Sequence, residues 1–276
     1  MSFFILLSPA KLNLYLKIIS KRKDGYHNLN SLIQKVSIFD IIKISFNTKK
    51  KLINFSNSAI DKDNNTIKKS IELFVKKTGI NFNYEIFVKK NIPIEAGLGG
   101  GSSNAATILN FLNNYFYAKL SLDDLINIGK SIGADVPLFL YPSSLLLMYG
   151  IGDKIKSIES LKSSYNWFIL IKPDKSLSTK KVYTNLNFVL TNFNKNIMED
   201  SLFEIGVNDL EKSAFEILPI LKEIKRFLKK YTEFSLMTGS GSVIFGGFSN
   251  KKDALNCYIK AKEKFKNYQI FICRTL

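Results

Sequence analysis

The sequence predicts an α+β protein of two lobes, and three features carry that expectation. Stretches of strict apolar–polar alternation are mixed with stretches of helical spacing, without the regular strand–helix–strand rhythm of a doubly wound sheet. A chain of 276 residues has room for one large domain or two of ordinary size. The pattern also changes character after about Gly152, which sets the expected boundary between residues 1–152 and 153–276.

The run Phe3-Phe4-Ile5-Leu6-Leu7 is too short for a signal segment and lacks a basic flank, so it reads as a first strand. Ala10 to Ile18 alternates strictly, with Leu12, Leu14 and Leu16 on one face and Lys11, Asn13 and Tyr15 on the other. A half-buried strand is expected there. Lys23-Asp24-Gly25 marks a turn, Val36 to Phe46 is strand-like, and Asn54 to Asn65 is a polar loop. Ile67, Ile71, Phe74 and Val75 have helical spacing, stopped by Gly79. Asn81 to Lys89 alternates again. Ala105, Ile108, Leu109, Leu112, Tyr115 and Phe116 describe an amphipathic helix that begins at Ser102-Ser103. Ser121 to Asp124 is a capping box opening a further helix that ends at Gly133. Leu138 to Tyr141 reads as an apolar strand. Beyond Gly152, Trp167 to Ile171 is a buried-strand candidate, and Phe188 to Asp200 reads as irregular. Asn208 to Tyr231 is helical but interrupted by Pro219. Ser235 to Phe248 is two strand halves around Gly239-Ser240-Gly241, followed by a helix over Lys251 to Lys266 and a last strand over Gln269 to Cys273.

Composition narrows the function classes. Hydrophobic residues make up 46% and charged residues 23%, the balance of an ordinary globular protein rather than a disordered one. No apolar run approaches the ~18 residues of a membrane helix. Cys257 and Cys273 have neither metal-ligand nor redox spacing, which points to free thiols in a reducing, cytoplasmic setting. The net charge of +17 raises the question of nucleic acid. However, only three of the 40 basic residues are arginine (Arg22, Arg226 and Arg274), and the lysines are scattered rather than striped. No nucleic-acid partner and no membrane are expected; the field favours polyanionic small molecules.

The segment Gly97-Leu98-Gly99-Gly100-Gly101-Ser102-Ser103 lies between a predicted strand and a predicted helix. Glycines let the backbone approach a ligand closely, and a helix start turns unpaired N–H groups and a positive dipole end outward. Together these suit the phosphates of a nucleotide. A Walker loop is excluded because no lysine follows the glycines, and the third glycine slot of a dinucleotide fingerprint is occupied by Ser102. The serines are open to roles as helix cap, phosphate donor or magnesium ligand.

Four segments, in order, carry a resemblance. Pro93-Ile94-Glu95-Ala96-Gly97-Leu98-Gly99-Gly100-Gly101-Ser102-Ser103-Asn104-Ala105-Ala106 resembles the phosphate-binding motif of the galactokinase, homoserine kinase, mevalonate kinase and phosphomevalonate kinase superfamily. Pro9-Ala10-Lys11-Leu12-Asn13-Leu14 with Asp24-Gly25-Tyr26-His27, Gly133-Ala134-Asp135-Val136-Pro137 and Met237-Thr238-Gly239-Ser240-Gly241-Ser242 are similar to segments of its 4-diphosphocytidyl-2-C-methyl-D-erythritol kinase family. Glu95 departs from the pattern: it is an acidic group that would repel phosphate unless it points away.

The resemblance implies a ribosomal-protein-type N-terminal lobe that binds ATP, a ferredoxin-like C-terminal lobe on the substrate side, and an active site between them. It implies transfer of the γ-phosphoryl of ATP to the 2-hydroxyl of a cytidyl diphosphate substrate, with Mg2+ arriving with ATP rather than in a dedicated cage. On the residues alone, Asp135 is either a turn aspartate ahead of Pro137 or a base, and Lys11 is either a solvent-facing strand lysine or a functional one. The resemblance implies the catalytic reading for both. It further implies that Asn13, Tyr26, His27, Thr179, Tyr183, Gly239, Ser240 and Gly241 hold the substrate, with Tyr26 and His27 suited to stack on a base.

Overall fold

The structure is a computed structural model, and it describes residues 3–46, 48–158, 165–186, 206–232 and 234–276. The first half of the chain forms β1 (Phe4–Lys21), β2 (His27–Ser45), β3 (Lys51–Phe55), α1 (Thr66–Thr78), β4 (Tyr84–Lys89), α2 (Gly100–Tyr115), α3 (Leu122–Ile132) and α4 (Val136–Leu140). It continues through β5 (Leu145–Gly150), β6 (Lys154–Ser157), β7 (Trp167–Lys172), α5 (Thr179–Thr184), α6 (Glu211–Ile217) and α7 (Ile220–Leu228). It closes with β8 (Ser235–Met237), β9 (Ile244–Phe248), α8 (Lys251–Lys264) and β10 (Gln269–Arg274). The class is α+β, as the sequence predicts. Among the described residues no helix is long and apolar enough to cross a membrane.

Two compact units interleave along the chain. The first comprises Met1–Ala10, Ile38–Pro93 and Gly99–Pro142; the second comprises Lys11–Ser37, Ile94–Leu98 and Ser143–Leu276. The long strands β1 and β2 therefore contribute residues to both.

In the first unit, the end of β2 pairs antiparallel with β4 from Ile41↔Lys89 to Ser45↔Glu85, and β3 lies parallel to β4. Inward-pointing Ile42, Ile44, Ile86 and Val88 are buried. Helix α1 is bounded as its sequence demands: the Asn65 side chain accepts from the Lys68 N–H, and Gly79 closes the helix with a left-handed φ of 73°. Its Ile67, Ile71 and Phe74 are buried, and it packs against α2, whose Ile108, Leu109 and Leu112 are also buried. Ser121 and Asp124 form the reciprocal capping box at the start of α3.

Two expectations are corrected here. The run read as a strand at Leu138 to Tyr141 is helix α4, with Val136, Pro137, Leu138, Phe139 and Leu140 all buried against α2 and α3. An apolar run buried all round shows no period, so its sequence reads equally as strand or helix, while Pro137 fits a first helical turn. Helix α2 starts at Gly100 rather than at the serines, with Gly99 as its cap.

In the second unit, the start of β2 pairs antiparallel with β5 from Leu29↔Gly150 to Gln34↔Leu145, and β5 pairs with β6. A separate antiparallel sheet has the order β10-β7-β9-β8. Ile169, Ile171 and Ile244 of that sheet share a buried core with Leu221, Ile224 and Leu228 of α7 and Ala254, Cys257 and Ala261 of α8. Pro219 divides α6 from α7 as expected. β1 binds residues 206–209 along its edge: Gly206 and Leu16 N–H groups donate to Leu14 and Val207 carbonyls, at 3.1 and 2.8 Å. The strand expected to be half-buried is here buried on both faces, with Lys11 at 5% and Asn13 at 1% exposure beside Leu12 at 0%. The stretch Phe188 to Asp200 lies outside the described residues.

Leu109→Ala removes a fully buried side chain from α2. It is expected to cost about 2–5 kcal/mol in urea denaturation. Ile5→Ala, at a position 62% exposed, is expected to stay within about 0.5 kcal/mol.

Candidate active site

The glycine-rich turn is built from residues with different jobs. Gly99 has φ 70° and caps α2 without a side-chain hydrogen bond, so the N–H groups of the first helical turn have no capping side chain. Gly97 has φ 74°, and a Cβ placed on it would lie 2.4 Å from the Thr238 carbonyl oxygen. Conformation and close packing both require glycine there. Gly100 packs on Ile92, whose Cγ2 would lie 3.0 Å from an added Cβ, whereas an added Cβ on Gly101 would meet nothing nearer than Thr66 at 3.6 Å. Thr66 Oγ1 donates to the Gly101 carbonyl at 2.8 Å.

Around these glycines, Ala96 and Leu98 are buried, Pro93 and Ser102 half-buried, and Ile94 and Glu95 exposed. Glu95 takes φ 52° and reaches solvent. The Lys11 N–H donates to the Leu98 carbonyl at 3.0 Å, tying the turn to β1. Ser103 is fully buried and accepts from the Ser8 hydroxyl at 2.8 Å.

The second unit gathers the strand motif and the C-terminal glycine motif at one place. Lys11 Nζ donates to Asn13 Oδ1 at 2.6 Å, while Asn13 Nδ2 donates to Ser31 Oγ at 2.8 Å. An ammonium on its oxygen and a hydroxyl on its nitrogen fix the orientation of the Asn13 amide. The Asn13 N–H donates to Thr238 Oγ1 at 3.1 Å, and Thr238 Oγ1 lies 3.3 Å from the Gly97 carbonyl. A Cβ on Gly239, whose φ is 54°, would lie 3.5 Å from both Lys11 Nζ and Asn13 Oδ1. Gly241, with φ 86°, turns tightly against Met237 and Leu177. Buried Asn208 donates to the Met237 and Gly239 carbonyls at 2.7 and 2.8 Å and accepts from the Leu210 N–H at 2.9 Å.

The other expected substrate residues form pairs in the same unit. The His27 and Tyr183 rings lie 5.3 Å apart at 36°. Thr179 and Ser240 hydroxyls are 2.8 Å apart. Tyr26 stands on the hairpin closed by the Arg22 N–H to the Tyr26 carbonyl, the residue 65% exposed. Burial first, and the charge of Lys21 second, lower the His27 pKa below its ordinary 6.5. Asp135 belongs to the first unit, half-buried at the residue that precedes α4, where its side chain makes no capping bond.

Residues 65–143 match the family model for the N-terminal domain of GHMP kinases, and residues 190–267 match that for the GHMP kinases C-terminal domain. The 4-diphosphocytidyl-2-C-methyl-D-erythritol kinase of Clostridium tetani is 37% identical over 285 residues, covering 97% of this chain and 98% of the relative. The chain belongs to the 4-diphosphocytidyl-2-C-methyl-D-erythritol kinase family. The Protochlamydia amoebophila member of the family is 41% identical over 241 residues, covering 87% of this chain and 83% of its own length. A crystal structure of a 4-(cytidine 5'-diphospho)-2C-methyl-D-erythritol kinase superposes with a TM-score of 0.82 at 26% identity, covering 98% of this chain and 99% of the other. Homoserine kinase from Cytophaga hutchinsonii shares the fold, with a TM-score of 0.71 at 16% identity over 100% of this chain and 95% of that one. As a member of this family the chain is a small-molecule kinase of GHMP fold.

Sequence reasoning leaves out Ser31 and Asn208, which hold Asn13 and the Gly239 turn. Neither sits in a motif. Asn208 acts on a glycine segment 31 residues away, and a lone serine or asparagine carries no local signal.

Gly97→Ala is expected to cost more than about 1 kcal/mol, from its positive φ and the clash with Thr238. Gly101→Ala, already helical and uncrowded, is expected to stay within about 0.5 kcal/mol. Parallel denaturation curves of the two variants check the contrast.

Proposed function

We propose that the enzyme transfers the γ-phosphoryl group of ATP to the 2-hydroxyl of 4-diphosphocytidyl-2-C-methyl-D-erythritol, in the supply of isoprenoid precursors by the non-mevalonate route. The observation that carries this reading is the cluster in which Lys11 Nζ, Asn13 Oδ1 and the Gly97 carbonyl oxygen each lie 3.5 Å from the Cβ position of Gly239. It brings together three of the four segments that mark the family.

In this reading the amides of Gly100, Gly101 and Ser102, at the start of α2, hold the ATP phosphates with the help of the helix dipole. Asp135 takes the proton of the acceptor hydroxyl; the freed oxygen forms a bond to the γ-phosphorus as the bond to ADP breaks. The ammonium of Lys11 stabilises negative charge on the reacting oxygens. His27 and Tyr183 recognise the cytosine end, with Tyr26 on the neighbouring hairpin, while Asn13, Thr179, Gly239, Ser240 and Gly241 line the path of the substrate.

Magnesium prefers hard oxygen donors and keeps several waters. Among the described residues no group of three or more His, Cys, Asp or Glu is placed to hold a metal. The half-buried hydroxyl of Ser102 at the helix start fits a cation that travels with the ATP phosphates and neutralises their charge. The buried thiols of Cys257 and Cys273 support a cytoplasmic setting for the reaction.

The reading is tested by ATP turnover with the cytidyl substrate, with its analogue lacking the acceptor hydroxyl, and with homoserine and mevalonate. Turnover is expected only with the first; equal turnover with another acceptor overturns the assignment. Asp135→Asn is expected to lower kcat about 10²–10⁴-fold, and near-wild-type turnover rejects its role as base.

His27→Ala is expected to raise KM for the cytidyl substrate about tenfold while lowering kcat less. The lowered pKa keeps the ring neutral above pH 6.5, its ordinary value. The folded chain takes up that proton less readily than the unfolded chain, so this group weakens the fold as pH drops below 6.5. KM is therefore expected to be flat above pH 6.5 and to rise below it in wild type, and His27→Gln is expected to abolish the rise.

A further inference from the structure

We propose that Asp40, on β2, is a positioning residue for the nucleotide-phosphate turn, acting on the backbone that enters the turn and on the helix that leaves it. The proposal rests on the kinase reading given above and names a residue that none of the four motif segments contains.

Asp40 is fully buried, an unusual place for a carboxylate unless every lone pair is used. One oxygen, Oδ1, accepts the backbone N–H groups of Asn91 and Ile92 at 2.8 and 2.9 Å. The other, Oδ2, accepts Asn104 Nδ2 at 3.0 Å and the ammonium of Lys90. Residues 90–92 lead into the turn, and Asn104 lies in the first turns of α2, which lead out of it. A single carboxylate thus ties together both ends of the segment whose amides face phosphate in the proposed reaction.

The neighbours extend the same restraint. Lys90 Nζ also donates to Asn104 Oδ1 at 3.1 Å. With an ammonium at its oxygen and a carboxylate at its nitrogen, the Asn104 amide has only one workable orientation. Its nitrogen also donates to Ser8 Oγ at 2.9 Å, and Ser8 passes the bond to Ser103 Oγ. Lys90 Nζ and Ile92 Cγ2 press against Gly100, which opens α2; an added Cβ there would meet them at 3.3 and 3.0 Å. The Lys90 side chain is only 7% exposed, so the ion pair is desolvated and its geometry is stiff. A network built only to hold the core together has no need to converge on the two ends of one ligand-facing turn.

The test compares wild type, Asp40→Asn and Asn104→Ala. It uses calorimetric titration with magnesium and a non-hydrolysable ATP analogue, steady-state KM for ATP and for the cytidyl substrate, and thermal melting. Asp40→Asn is expected to weaken nucleotide binding and to raise KM for ATP by about tenfold or more. KM for the cytidyl substrate is expected to stay within about twofold. If Asp40→Asn does not fold, Asn104→Ala carries the test: it keeps the ion pair and the two backbone bonds but cuts the tie to α2, and about a fivefold weakening of nucleotide binding is expected. A folded variant that melts lower yet binds nucleotide like wild type, or one in which both KM values rise together, overturns the proposal. Failure of the wild type itself to bind nucleotide refutes the kinase reading instead, so the two failures are told apart.

Discussion

A helix that begins on glycine has no side chain of its own to cap it, and the whole site depends on that constraint. In the proposed reaction the amides at Gly100 to Ser102 hold the phosphates, which requires their peptide planes to be held still, and glycine is the residue least able to hold itself. Rigidity has to come from elsewhere. The Thr238 carbonyl crowds Gly97, the Lys11 N–H anchors Leu98, and Asp40 takes the amides of Asn91 and Ile92. Flexibility in the sequence is converted into a fixed cradle by partners outside the glycine run.

The same logic explains why polar groups are buried so freely in this chain. Lys11, Asn13, Ser31, Asp40, Asn104 and Asn208 lie below one-tenth exposure, each at a cost that only satisfied hydrogen bonds offset. Their bonds run in directions fixed by chemistry: ammonium to amide oxygen, amide nitrogen to hydroxyl or carboxylate. Such networks admit one arrangement, and a site that must position a nucleotide and an alcohol benefits from that uniqueness.

Contiguous signals are legible in the sequence. Alternation at Leu12, Leu14 and Leu16, the capped and stopped helix α1, the capping box of α3 and the break at Pro219 depend on neighbours within a few residues. The placing of His27 with Tyr183 and of Thr179 with Ser240 is reachable only through resemblance, because 156 residues separate the first pair and 61 the second. Ser31, Asn208 and Asp40 are not legible at all. A polar residue in a strand or loop looks the same whether it meets solvent or closes a buried network.

The amino-acid order by itself determined the class of fold, the glycine turn and the family, since each rests on local stereochemistry or on contiguous motifs. Tertiary packing decided what local preference leaves degenerate. An apolar run with no period became helix α4 because α2 and α3 enclose it. The start of α2 moved to Gly100 because Gly99 adopts a left-handed cap. Above all, packing selected which side chains share a site, for Asn13 and Thr238 meet across 225 residues of chain. No local rule encodes a hydrogen bond at that separation; only burial of the elements that carry its two ends can enforce it.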